Sequence, residues 1–213
     1  PNGIYIPRFR NLKGPDSDRL DFVRGYGYQG SASRAGWSRG AGSPELGTEL
    51  KQLLHDAGPW SFNIGSWGET LPNPENTALL IEEKDRYGIP LLQVNCKWGP
   101  NEMAMRKDMA AQAAAMLEAA GCEDVRTFDN YEEGQYGAEP GLCIHEMGTA
   151  RMGRDPKTSV LNGNNQLWDS PNVYVTDGAC MASTACVNPS MTYMALTARA
   201  VDHAVKQVKA KSL

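Results

Sequence analysis

The chain lacks the marks of several classes of protein. No apolar run approaches the ~20 residues needed to span a bilayer. A formal net charge of −4 gives no basic footprint for nucleic acid or an anionic membrane. The five cysteines are odd in number and no two form a CxxC pair, which argues against a disulfide framework and a zinc or iron–sulfur site. Internal repeats and low-complexity segments are missing, and so is a signal peptide in the sequence as it stands. Histidine is scarce, with His55, His145 and His203 only. The chain opens on Pro1, within what reads as structured sequence, so a fragment or a processed chain is the expectation.

What is there is ordinary for a globular protein: 213 residues, 41 % hydrophobic and 22 % charged. Residues 1–43 read as irregular and glycine-rich, with short strands at Ile4-Tyr5-Ile6 and Phe22-Val23. The run GYGYQGSASRAGWSRGAG lacks GxGxxG order at a strand–helix junction, so a long loop or edge strands fit better than a nucleotide loop. Arg34, Trp37 and Arg39 within it either line a polar pocket or are solvated. Ser43-Pro44-Glu45 predicts a helix start, with a leucine stripe at Leu46, Leu50, Leu53 and Leu54 and a stop near Gly58-Pro59.

Trp60–Ile64, Thr77–Ile81 and Leu91–Val94 read as strands. Their short, turn-rich connections predict one antiparallel sheet. A helix from Asn101 to about Ala120 puts Met105, Met109, Met116 and Leu117 on one stripe, with Gly121 just past its end. Cys122–Asp129 predicts one more strand, and Asn130–Pro140 an acidic loop. The clearest element is the last helix. Asn188 reads as its cap and Pro189 as its first residue, and Met191, Met194, Ala198, Val201, Val205 and Val208 form a stripe predicted to be buried.

The chemistry concentrates between Cys143 and Arg199. His145 precedes the glycine-bearing turn HEMG. A short β-type run, Val173–Val175, ends at Thr176-Asp177-Gly178, and the helix opens at Asn188-Pro189. Oxidising an alcohol needs a base for the hydroxyl proton, a polar group to orient the oxygen, and a hydride acceptor beyond the carbon. A histidine is suited to the first task and an asparagine to the second. A helix N-terminus stabilises charge on an anionic acceptor by ~0.3–1 kcal/mol when exposed and up to ~2 when partly buried. A lone histidine before a turn is usually structural, and Asp177 alone reads as an ordinary turn residue.

The blocks HEMGTARMG, SVLN, NVYVTDG and NPSMTYMALTARA resemble the C-terminal signature of the glucose–methanol–choline (GMC) flavin oxidoreductases. GETLPNPEN and KDRYGIP resemble that family's substrate-domain strands. The likeness is greater to the sugar-oxidising branch, with pyranose oxidases and FAD-dependent glucoside 3-dehydrogenases as the nearest types. It implies an α+β fold: a mostly antiparallel substrate-binding sheet flanked by helices over residues 1–142, then a catalytic segment, 143–213, that returns to a Rossmann-type FAD domain. It also implies His145 as base, Asn188 as the second catalytic residue, and FAD against Asp177, Gly178, Asn188, Pro189 and Ser190.

The family's GxGxxG unit for the ADP half of FAD is absent from this sequence. Tight FAD binding by the chain alone is therefore not expected, and uncovered apolar surface is. Implied partners are a sugar or glycoside, an electron acceptor (oxygen, a quinone or a cytochrome), the N-terminal FAD portion and a small partner subunit. Localisation stays open, the bacterial cytoplasm and periplasm both being compatible with a soluble chain. Two other readings stay open: a catalytically silent sugar-binding module, and a hydrolase built on Ser183, His145 and Asp177, which lacks a GxSxG elbow.

Overall fold

The computed structural model describes residues 2–14, 17–18, 20–128, 140 and 145–211. Strands β1 (Asn2–Ile6), β2 (Tyr26–Arg34) and β3 (Trp60–Gly68) form an antiparallel sheet with β2 in the centre. Strands β4 (Thr77–Lys84) and β5 (Pro90–Asn95) pair as a separate antiparallel hairpin. Helix α1 (Gly47–His55) lies in the connection from β2 to β3, and helices α2 (Pro100–Ala119) and α3 (Ser190–Lys209) follow. The α+β class holds, with antiparallel strands throughout both sheets.

The first half of the glycine-rich run, Tyr26–Arg34, is neither a loop nor an edge; it is the central strand. Glycine disfavours strands, but here Gly25, Gly27 and Gly30 are interleaved with Tyr26 and Tyr28, and the tyrosines bury almost completely. They meet Phe22, Met105 and Met109 in the core between the sheet and α2. A Cβ on Gly30 would overlap the Asn63 carbonyl, so glycine is what lets β3 approach at that point. Phe22-Val23 is not a strand; Phe22 simply enters this core.

Polar groups fix α2 on the sheet. Arg10 pairs bidentately with Asp108 at 2.8 and 2.9 Å, the Tyr26 hydroxyl donates to the same carboxylate, and Tyr28 Oη donates to the Met109 carbonyl at 2.7 Å. Buried Glu102 accepts from the amides of Gly99 and Leu71 at 2.8 and 2.9 Å, tying the helix start to the chain after β3. At the other end Gly121, with φ +81°, lets Gly121 N and Cys122 N reach the Glu118 and Leu117 carbonyls.

Several expected boundaries differ. β3 belongs with β1 and β2, not with β4 and β5, because all nine of its residues pair with β2. Pro72 and Pro74 then interrupt the ladder, having no amide to donate. α1 begins at Gly47 rather than near Ser43, whose hydroxyl instead bonds Glu45, and a 3-10 turn occupies Trp37–Gly42. Arg39 ties that turn to the Leu53 and Asp56 carbonyls, Arg34 lies over the Trp60 ring, and Trp37 is exposed, so the three line no common pocket. Residues 122–128 form no strand, and Asp124 takes a positive φ of 53°. The acidic loop expected over 130–140 lies outside the described residues except for Pro140, and Cys143 lies outside them too.

α3 departs most from expectation. Its Met/Val stripe is open, with Met191 76 %, Met194 65 % and Val208 63 % exposed. The helix docks through a second stripe instead: Tyr193, Leu196, Thr197, Ala200, His203 and Gln207 are buried or half-buried. Both stripes satisfy helical spacing, and the sequence carries no mark of which one this chain covers.

Candidate active site

His145 is half-buried and its backbone takes φ +85°, a conformation L residues rarely adopt. Its ring faces the Trp67 indole at 5.3 Å between centroids, tilted by 41°. The chain after it runs beside the Asp177–Met181 turn. The amides of Gly148, Ala150 and Met152 donate to the Gly178, Ala179 and Cys180 carbonyls at 3.3, 3.0 and 2.9 Å. A Cβ on Gly178 would come within 2.9 Å of both Met147 Sδ and Tyr193 Oη. Glycine therefore lets the histidine loop close on the first turn of α3, where Tyr193 Oη donates to Met147 Sδ at 3.3 Å. Burial pushes the Tyr193 phenol above its usual range, so it stays a donor.

Behind this turn stands Asn165, fully buried at φ +64°. Its Nδ2 donates to the Val175 carbonyl and its Oδ1 accepts from Arg199 Nη2, each at 3.0 Å. The Val175 amide returns to the Asn165 carbonyl at 2.9 Å, and Thr197 Oγ1 reaches the Thr176 carbonyl at 3.3 Å. The strand expected at Val173–Val175 is only a single bridge between Tyr174 and Gln166. Two backbone bonds, Leu167 N to the Val173 carbonyl at 3.0 Å and Val175 N to the Asn165 carbonyl, hold the segment together with α3 side chains.

Asn188 is not the helix cap. Pro189 takes that position, without a capping side chain, and α3 starts at Ser190. The Asn188 Nδ2 donates instead to Gln29 Oε1 at 3.2 Å. Gln29 pairs with Gly65 and Gly27 with Trp67. Side chains alternate between faces of a strand, so Gln29 and Trp67 share a face, opposite Tyr26 and Tyr28. They are diagonal neighbours, about 7–8 Å apart in such a ladder. His145 and Asn188 thus rest on the same side of the sheet. That side also carries Tyr5, Ser31, Asn63 and the bare backbone of Gly27 and Gly65. It is a shallow floor of hydrogen-bonding groups with one indole.

Asp177 caps the short 3-10 turn Gly178–Cys180, accepting from the Ala179 amide at 2.9 Å, and is otherwise exposed. The first intrahelical bond of α3 comes from Tyr193 N to Pro189 O at 3.0 Å. The amides of Ser190, Met191 and Thr192 precede it and meet no capping side chain. Open amides at a helix start, an exposed carboxylate and a glycine turn form a donor set that fits an electron-rich ring system with a hydroxylated tail. Among the described residues no hydrogen bond joins Ser183, His145 and Asp177, which removes the support for a hydrolytic triad.

A model of the GMC oxidoreductases, for their C-terminal part, matches residues 72–197. The chain belongs to the GMC oxidoreductase family. The family is characteristically one of flavoproteins. Among its relatives is 2-methyl-1,2-propanediol dehydrogenase of Mycolicibacterium austroafricanum, 32 % identical over 85 % of this chain and 33 % of that protein. Paromamine 6'-oxidase of Streptomyces fradiae is 32 % identical over 65 % of this chain and 23 % of its own length. Pyranose 2-oxidase of Lyophyllum shimeji is 33 % identical over 64 % and 21 %. This GMC chain therefore spans a third or less of the length of these relatives.

Sequence reasoning singled out His145, Asn188, Asp177, Gly178, Pro189 and Ser190 but missed Trp67, Gln29, Tyr193 and Asn165. The alternation of β3 was a signal for Trp67. None existed for Gln29, hidden in a run that reads as a loop.

Proposed function

We propose that this chain is the C-terminal part of a flavin-dependent GMC oxidoreductase that oxidises a hydroxyl of a sugar or glycoside to a ketone. What supports it most is that His145 and Asn188, far apart in sequence, meet the same polar sheet face through Trp67 and Gln29. The names of the relatives, two of them sugar-type oxidases and one a diol dehydrogenase, support the reaction class.

His145 takes the proton of the substrate hydroxyl as its carbon is oxidised. Asn188 holds the same oxygen through its side-chain amide. The face with Trp67, Asn63, Ser31 and Tyr5 binds the ring, the indole packing on its C–H face and the amides and hydroxyls taking its oxygens. FAD, when bound, supplies the hydride acceptor. Asp177, Gly178, Asn188, Pro189 and Ser190 would hold it, and the first-turn amides of α3 would stabilise negative charge on it. Residues 1–142 serve substrate and residues 143–213 return to the FAD domain. Oxygen, a quinone or a cytochrome would be the final electron acceptor.

The test is His145→Ala in the flavin-loaded protein. Flavin absorbance is retained and sugar-dependent bleaching slows by about 10²- to 10⁴-fold. Unchanged bleaching sinks the assignment of the base. A protein that binds sugar but takes up no FAD, even beside an FAD-bearing portion, favours a silent binding module instead; the sheet face alone is enough for that.

A further inference from the structure

We propose that Gln29 is the positioning residue that aims Asn188 at the substrate oxygen, an inference that rests on the function proposed above. Asn188 is itself exposed, and among the described residues no side-chain capping bond fixes it to α3. Its Nδ2 is held by Gln29 Oε1, on the central strand of the sheet. One hydrogen of that nitrogen is spent on Gln29. The other is left to donate to an oxygen on the face shared with Trp67 and His145, where charge grows as the hydroxyl proton leaves.

Gln29 also carries a burden the fold does not require. Its Nε2 is buried and has no hydrogen-bond partner among the described residues, and a methionine of similar length would fill the space without an unmatched donor. A side chain that costs stability and whose remaining end grips a candidate catalytic residue is placed for function.

The experiment is a double-mutant cycle in the flavin-loaded protein, with Gln29→Met, Asn188→Ala and the two combined. Gln29→Met lowers kcat about 10- to 100-fold, leaves KM and flavin content unchanged and does not lower Tm. Gln29→Glu, which offers an oxygen to Asn188 in either protonation state, recovers most of kcat. The double variant is no slower than Asn188→Ala. Independently of turnover, the Asn188 side-chain amide resonances move to the positions of a free asparagine in Gln29→Met and stay put in Gln29→Glu. Should Gln29→Met not fold, Gln29→Ala, which leaves room for water, takes its place in the cycle.

Full kcat in Gln29→Met beside a crippled Asn188→Ala overturns the positioning role and leaves the proposed function standing. Losses that multiply in the double variant also overturn it, because Gln29 then acts without Asn188. Unaltered kcat in Asn188→Ala overturns the role of Asn188 and this inference with it.

Discussion

Two helices of equal length, α2 and α3, treat their apolar stripes in opposite ways. α2 spends its stripe on the sheet: Met105 is 2 % exposed, and Tyr26, Tyr28 and Phe22 close over it. α3 docks through mixed residues, with Ala200 alone fully buried, and leaves Met191, Met194, Val201, Val205 and Val208 open. One helix completes a core that the chain possesses. The other offers a face that the described residues leave uncovered. Stability should therefore be concentrated around α2, and the function carried by the start of α3 should depend on what meets that face.

The strongest test removes the α2 core. Met105→Ala leaves a cavity under Tyr26 and Tyr28 and should cost about 2–5 kcal/mol, read as a lower midpoint in urea. A loss under about 1 kcal/mol would mean that this core is not the stable half. Alkali should reach the same place next. Burial pushes the Tyr28 phenol up to about 12, and it raises Tyr26 in the same direction. Below the ordinary tyrosine value near 10 both states keep their protons and nothing is lost. Above it the unfolded chain ionises while the folded core does not. Stability then falls above about pH 10, by up to about 1.4 kcal/mol per pH unit for each phenol, and the Tyr28 share levels off near pH 12. Tyr28→Phe should flatten part of that slope; an unchanged slope would place the titration elsewhere.

The same contrast governs how much the residues revealed. α2 was legible from its methionine stripe and from Gly121, because local pattern and tertiary burial agreed. β3 is legible from alternation, and β4 and β5 from short apolar runs between turn-rich segments, but their partners are not. Which strands pair is decided over long distances, and β2 was disguised by its glycines. In α3 the apolar stripe was read correctly and its burial wrongly, since two stripes fit one helix. At the site, His145, Asn188 and Gly178 stood out through short motifs. Trp67 and Gln29 did not, because they matter only once the register of β2 and β3 puts them on one face. Asn188 shows the limit of a local rule: Asn-Pro before a helix reads as a cap, yet the side chain serves the sheet instead.

The last prediction has the smallest effect on stability and says most about α3. Val201→Lys and Met194→Lys add charge to a face already exposed to water, so each should change the stability of this chain by no more than about 0.5 kcal/mol. If the FAD-bearing part of the protein covers that stripe, the same substitutions bury a lysine against apolar surface when the two parts meet. The two readouts then separate. Urea midpoints of the chain alone stay level, while flavin retention in the whole protein falls. A large loss of stability in the chain by itself would mean that the stripe is already part of a core. Full flavin retention would mean that the cofactor-bearing part docks elsewhere, and the open amides at Ser190–Thr192 would then lose their proposed ligand.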